Sequence, residues 1–183
     1  KHFDADFDTL RELLASPYHE YRLTALLALT YRYAKFKDLA SREACVNFYV
    51  SQVDAINNWD LVDLSCYKIL GHWLFDKDKQ LLYDWAKENH LWKQRIAMIT
   101  CMHFVKQGEF KDALAIADLL QHHPHDLIHK AVGWILREIG KENEQLLVDY
   151  LTPRYKEMPR TMLRYAIERF EEGKRKAFLH SKV

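Results

Sequence analysis

Five blocks of similar character recur along the chain at nearly constant spacing, and this recurrence limits the fold more than any single motif. The blocks are EYRLTALLAL, NNWDLVDLSC, KQRIAMITCM, IHKAVGWILR and PRTMLRYAIE. Each opens with a basic or polar residue just ahead of an apolar run of helical period. Their registers step from Arg22 to Trp59, Arg95, Lys130 and Arg160, at intervals of 37, 36, 35 and 30 residues. Another apolar helical segment precedes each block, so the repeating unit is a pair of helices. No alternating strand pattern competes with it anywhere.

A helix-pair unit of this length cannot bury its apolar face alone and must stack on its neighbours. Armadillo, HEAT and tetratricopeptide arrays are built this way. The fixed Trp, Gly, Tyr and Pro positions of the tetratricopeptide are missing, which leaves an all-α, HEAT-like repeat array (an α-α superhelix with a concave face). Residues 1–183 are expected to form one such domain. The expected helices are Phe7–Ala15, Tyr18–Tyr33, a third capped by Ser41, Trp59–Phe75, Asp78–Asn89 and His90–Lys106. Phe110–Gln121, Pro124–Ile139 closed by Gly140, Glu142–Leu151 and Thr161–Phe170 follow, ahead of a frayed basic tail. Stacked second helices would line one surface and present Arg22, Arg95, Lys130 and Arg160 as a curved basic row. A helix N-terminus mildly disfavours cations, so their recurrence there suggests a polyanion. The alternative is that they are ordinary solvated helix starts.

Composition agrees with a helical, well-buried chain. Of 183 residues 49% are hydrophobic, and only 5 are Gly and 4 Pro. The net charge of +1 hides an asymmetry: residues 1–91 carry −3 and residues 92–183 carry +4. Cys45, Cys66 and Cys101 are odd in number and lie in apolar runs. They read as buried thiols in a reducing compartment, so a cytoplasmic location is expected. No apolar stretch reaches membrane-spanning length, and no signal sequence is visible. His122, His123, His125 and His129 surround Pro124, and His125/His129 have i, i+4 spacing. A solvated loop and helix start explains them more simply than a metal. No phosphate-cradling Gly-rich loop, HExxH or nucleophile elbow occurs, so neither a cofactor nor a metal is expected.

The stretch INNWDLVDLSC, residues 56–66, carries the chemistry. Trp59 and Asp63 stand at i and i+4, which puts an aromatic ring and a carboxylate on one helical face. Asn57 and Asn58 are both able to cap the helix, so Asp63 is expected near its first turn, where the dipole favours the ionised form. Taken alone, the pair also reads as a core indole and a solvated acid.

The blocks SPYHEYRLTALLAL, INNWDLVDLS, LWKQRIAM, HDLIHKAVGWILREIGK and MPRTMLRYAIERF together resemble the bacterial AlkD family of DNA alkylation-repair glycosylases. The resemblance runs in order from about Leu13 to about Phe170. Family members are HEAT-like arrays, usually longer at the N-terminus, and the further helices that help cradle DNA there are expected to be missing here. The resemblance implies hydrolysis of the N-glycosidic bond of N3- and N7-alkylated purines in duplex DNA, the first step of base excision repair. It makes Asp63 the catalytic carboxylate, Trp59 and Trp134 aromatic walls, and Arg95 the arginine that approaches the phosphate beside the lesion. Lys130, Arg160 and Arg22 extend the expected DNA-binding row. Asn58 stands where the family often carries an aromatic. The implied partner is double-stranded DNA containing alkylated purines, bound by a monomer, with no membrane and no nucleotide cofactor involved. No lysine nucleophile is needed, so a monofunctional glycosylase is expected. The rival reading is a non-catalytic HEAT-repeat module that binds DNA or protein. Asp63 and both indoles sharing one open cleft would separate the two.

Overall fold

The computed structural model describes residues 5–180, and among these all regular structure is helical. Helices α1 (Phe7–Leu14) and α2 (His19–Lys35) form the first pair, joined through Ser16-Pro17. Pro17 cannot continue an incoming helix, and it sits where the chain turns. Helix α3 (Leu39–Ser51) starts from Asp38, whose carboxylate accepts from Ser41 N at 2.8 Å. Asp38, not Ser41, is therefore the cap. A short 3-10 turn, Val53–Ala55, leads to α4 (Trp59–Asp63).

The single helix expected over Trp59–Phe75 is broken. After α4 the chain turns at Leu64 and Ser65, widens into one π-helical turn at Tyr67–Gly71, and resumes as α5 (His72–Leu74). Gly71 explains how tightly this segment seats on its neighbour. A Cβ there would stand 2.6 Å from His103 Cβ and 2.8 Å from the Thr100 carbonyl oxygen. The wide turn lets this close approach coexist with an inward-facing Asp63.

The remaining pairs are α6 (Gln80–Lys87) with α7 (Leu91–Lys106), α8 (Lys111–Leu120) with α9 (Asp126–Glu142), and α10 (Glu144–Leu151) with α11 (Arg160–Ala166). The helices of the first two of these pairs pack on each other, whereas α10 and α11 each pack on α9. Between pairs, α2 meets α4, α4 meets α7, α7 meets α9, and α9 meets α11. The second helices thus form one continuous inner layer, as a HEAT-like array requires.

Helix α9 shows how sequence drives this layer. Ile128, Ala131, Val132, Ile135, Leu136 and Ile139 recur at helical spacing and are fully buried. Helix α7, at the centre, is buried from Gln94 to Met102 and again at Phe104 and Val105. At a fully buried position each large apolar side chain contributes roughly 1.5–3 kcal/mol.

Two expectations near the C-terminus change. Gly140 lies inside α9, and the chain leaves the helix at Asn143, which is extended and caps α10 by accepting from Leu146 N at 3.0 Å. The reason for glycine at 140 is packing: a Cβ would meet Leu147 Cδ2 at 2.5 Å. The basic tail is a helix, α12 (Glu172–Leu179). Glu171 caps it by accepting from Gly173 N and Lys174 N, and Phe178 is buried against Tyr155 and Phe170.

Among the described residues no helix is long and apolar enough to cross a membrane. Cys45, Cys66 and Cys101 are buried free thiols.

Candidate active site

Asp63 closes α4. It is therefore the last residue of a one-turn helix and not a first-turn acid, and the helix dipole gives it no help. Another partner does. Arg95, from the second turn of α7, donates from Nε to Asp63 Oδ1 at 2.9 Å and from Nη2 to Oδ2 at 2.7 Å. This fork-to-fork geometry is the strongest arrangement available to an arginine and a carboxylate. Arg95 Nη1 also donates to the Leu127 carbonyl at the start of α9, so one side chain ties three consecutive inner helices together.

Both groups are taken out of solvent: Arg95 is 4% exposed and Asp63 9%. Burial pushes the Asp63 carboxyl above its ordinary value, and the hydrogen bonds and charge of Arg95 oppose that shift. This placement differs from a phosphate-facing arginine. The Arg95 guanidinium is committed to Asp63 and Leu127, and it meets the inner surface only as part of a cleft floor.

Asn58 caps α4, its side chain accepting from Trp59 N at 2.8 Å, and Trp59 is 52% exposed. Asp60 accepts from its own following amide, Leu61 N, at 2.9 Å and stands 2.7 Å from His19 Nε2 of α2. The motif is thus anchored on one side to α2 and on the other to α7.

A cleft of about 350 Å³ opens on the inner layer, lined by Trp59, Asp63, Arg95, Leu127, Lys130, Trp134, Arg137 and Tyr165. A second cleft of about 470 Å³ shares Trp59, Asp63 and Trp134 with it. It continues past Leu64, Tyr67 and Met102 to Lys106 and Glu138. The two are lobes of one groove. The first is basic, and the second is mainly apolar and aromatic.

Trp134, expected as the second aromatic wall, is partly buried and reaches both lobes. Its Nε1 donates to Glu138 Oε1 at 3.2 Å. Tyr165 is brought to the groove by the close approach of α11 to α9 at Gly133. A Cβ on Gly133 would lie 2.5 Å from Tyr165 Cβ and 2.6 Å from the Met162 carbonyl oxygen.

The expected basic row is only partly assembled. Lys130 lines the first lobe and pairs with Asp126 at 2.7 Å, one turn earlier. Arg22 and Arg160 line neither lobe. Arg22 Nη1 donates to the Ser16 carbonyl at 2.8 Å, and Arg160 Nη2 to the Leu179 carbonyl at 3.1 Å. Both arginines therefore hold neighbouring segments of the chain. Positive charge at the groove comes also from Arg137 and Lys106, which the repeat register did not single out. Arg137 and Glu138 could have been found from helical spacing, three and four residues after Trp134, whereas Tyr165 arrives from another helix through a tertiary contact.

The histidines around Pro124 are engaged locally. His123 Nδ1 accepts from His125 N at 3.0 Å, His125 Nδ1 accepts from Leu127 N at 3.1 Å, and His129 Nε2 meets the His123 carbonyl. Among the described residues no group of three or more His, Cys, Asp or Glu is arranged to hold a metal.

In fold, the chain is similar to a solved structure described as a predicted DNA alkylation repair enzyme from Enterococcus faecalis. The TM-score is 0.70 at 16% identity, covering 93% of this chain and 79% of that one. No curated protein sequence matches closely enough to count as a relative. The family model for DNA alkylation repair enzymes matches residues 1–170, which include every inner helix and the whole groove. The chain belongs to the DNA alkylation repair enzyme family.

Proposed function

We propose that this protein is a monofunctional DNA glycosylase that hydrolyses the N-glycosidic bond of cationic N3- and N7-alkylated purines in duplex DNA. The observation that carries the reading is the convergence in one open groove of Asp63, clamped and ionisable, with the Trp59 and Trp134 indoles.

The chemistry follows from the substrate's charge. An N3- or N7-alkylated purine is already a cation. When the C1′–N bond breaks, its electron pair passes to the purine, which departs neutral and needs no general acid. Positive charge is left on the sugar as an oxocarbenium ion, as in glycoside hydrolysis. Asp63 faces that charge with an anion whose position is fixed before the reaction starts, which is the form of electrostatic stabilisation that catalyses most. Water then adds to C1′, oriented by a carboxylate oxygen, and its proton passes to Asp63 or to solvent.

Arg95 opposes the upward push of burial on the Asp63 carboxyl and stops its rotation, so it acts on the substrate through Asp63. The indole faces attract the cationic sugar and base and exclude bulk water. Lys130, Arg137 and Lys106 at the groove supply sequence-independent attraction for phosphates. The rival reading, a non-catalytic DNA- or protein-binding array, gives no reason to hold a buried carboxylate toward a groove that receives a polyanion.

The test is release of 7-methylguanine and 3-methyladenine from methylated duplex DNA by protein in excess over lesions. Expected is free base together with an intact, abasic strand that breaks only after alkali. Absence of free base under these conditions, with DNA still bound, would favour the binding module.

A further inference from the structure

Trp134 reaches both lobes of the groove, so the orientation of its ring shapes each of them. Nothing in the residue alone fixes that orientation. It is only partly buried, and the second side-chain torsion of tryptophan is a broad one. The structure supplies a polar tether instead. Trp134 Nε1–H donates to Glu138 Oε1 at 3.2 Å, one turn along α9.

Glu138 is itself held in place. Lys141 Nζ donates to both carboxylate oxygens, at 2.7 and 2.8 Å, and Arg137 Nε lies 3.6 Å from Oε1. Its side chain is 15% exposed and lines the second lobe. A surface glutamate ordinarily sweeps through many rotamers, whereas this one is pinned by a cation on one side and an indole on the other.

We propose that Glu138 is a positioning residue for the glycosylase reaction, holding Trp134 by its N–H edge so that the ring face is presented to the cation forming beside Asp63. The inference rests on the function proposed above and adds to it a residue that meets neither sugar nor base. A hydrogen bond from the indole N–H to an anion also shifts electron density toward the ring, which strengthens its pull on a cation. Lys141 pairs with Glu138 and offsets its charge, so the tether gives direction to the indole at little net charge.

The experiment compares single-turnover 7-methylguanine release, at saturating protein, for the parent, Glu138→Ala, Glu138→Gln, Trp134→Phe and the Glu138→Ala/Trp134→Phe double variant. Duplex affinity is measured in parallel. Glutamine still accepts from the indole, so Glu138→Gln is expected to stay within about 3-fold of the parent. Glu138→Ala is expected to lose about 10-fold in rate, the scale of a misdirected cation–π contact, with affinity changed less than about 2-fold. In the Trp134→Phe background, where no indole N–H remains, Glu138→Ala is expected to cost nothing further.

A Glu138→Ala rate equal to the parent's would overturn the proposal while leaving the glycosylase intact. So would a loss not rescued by glutamine, or one that persists in the Trp134→Phe background, since either would mark a merely structural role. No release by the parent would remove the glycosylase reading, and this inference with it.

Discussion

Replacing Arg95 by Met should show how much of the site depends on one ion pair. The substitution keeps an unbranched side chain of similar reach but removes all three contacts: two to Asp63 and one to the Leu127 carbonyl. It leaves a carboxylate of 9% exposure without its partner. Orphaning a buried charge of this kind costs roughly 3–5 kcal/mol. Two routes soften the loss here, since the groove admits water to Asp63 and the carboxyl can take up a proton, so about 3 kcal/mol is expected. For a chain of this size that corresponds to a fall of roughly 6–12 °C in Tm.

The pH dependence has a definite sign. Burial already raises the folded-state pKa of Asp63 above its ordinary 3.8, so the folded chain binds that proton more tightly than the unfolded one. This contribution to stability is present at low pH and declines as pH climbs from near 3.8 through the raised value. Arg95 pulls the pKa down, so in Arg95→Met the declining window should extend to higher pH. Urea denaturation at several pH values measures both effects. In the Asp63→Asn background Arg95→Met should cost distinctly less, because no buried charge is orphaned. A cost below about 1 kcal/mol for Arg95→Met, or costs that add within about 0.5 kcal/mol, would refute the clamp.

Other perturbations separate scaffold from chemistry. Gly133→Ala places a Cβ 2.5 Å from Tyr165 Cβ and 2.6 Å from the Met162 carbonyl, and should destabilise by about 1–3 kcal/mol by prising α11 from α9, read by denaturant titration. Trp59→Ala removes a half-exposed ring and should change stability by less than about 1 kcal/mol while lowering single-turnover base release, so its effect should appear in kinetics alone. Lys130→Ala should weaken binding to damaged and undamaged duplex alike and flatten the salt dependence by about one unit of slope, with the rate at saturation unchanged.

Much of the fold was legible because helix-pair periodicity is a local property. The intervals from Arg22 through Trp59, Arg95 and Lys130 to Arg160 mark the second helix of each pair, and those helices make up the inner layer. What escaped were features set by contacts distant in sequence. The apolar run from Leu61 to Leu74 gives no local sign that it breaks at Leu64 and Ser65, because the break answers to Gly71 seating on α7. Gly140 has the look of a helix stop, yet it is needed for Leu147. The basic tail forms α12 with Phe178 packed against Tyr155 and Phe170, contacts that lie far away in sequence or beyond the local basic pattern.

The candidate site divides in the same way. Trp59 and Asp63 could be paired from i, i+4 spacing. Asp63 and Arg95, 32 residues apart, could not, and the family resemblance directs Arg95 to a phosphate while its guanidinium forks onto a carboxylate. Arg22 and Arg160 share the register of Arg95 and Lys130, but register gives no account of the nearby carbonyls that capture their guanidinium groups.

In the proposed reaction Asp63 stabilises the cation formed as the base leaves. The most direct test of this role is 7-methylguanine release from methylated duplex by Asp63→Asn beside the parent, at saturating protein, with DNA affinity measured on the same samples. Asparagine keeps the shape and one acceptor for Arg95 but removes the charge. Expected is release by the parent and a loss of at least about 100-fold in the variant, on the scale of removing one preorganised stabilising group, with DNA still bound. Equal release from both proteins would contradict the role of Asp63.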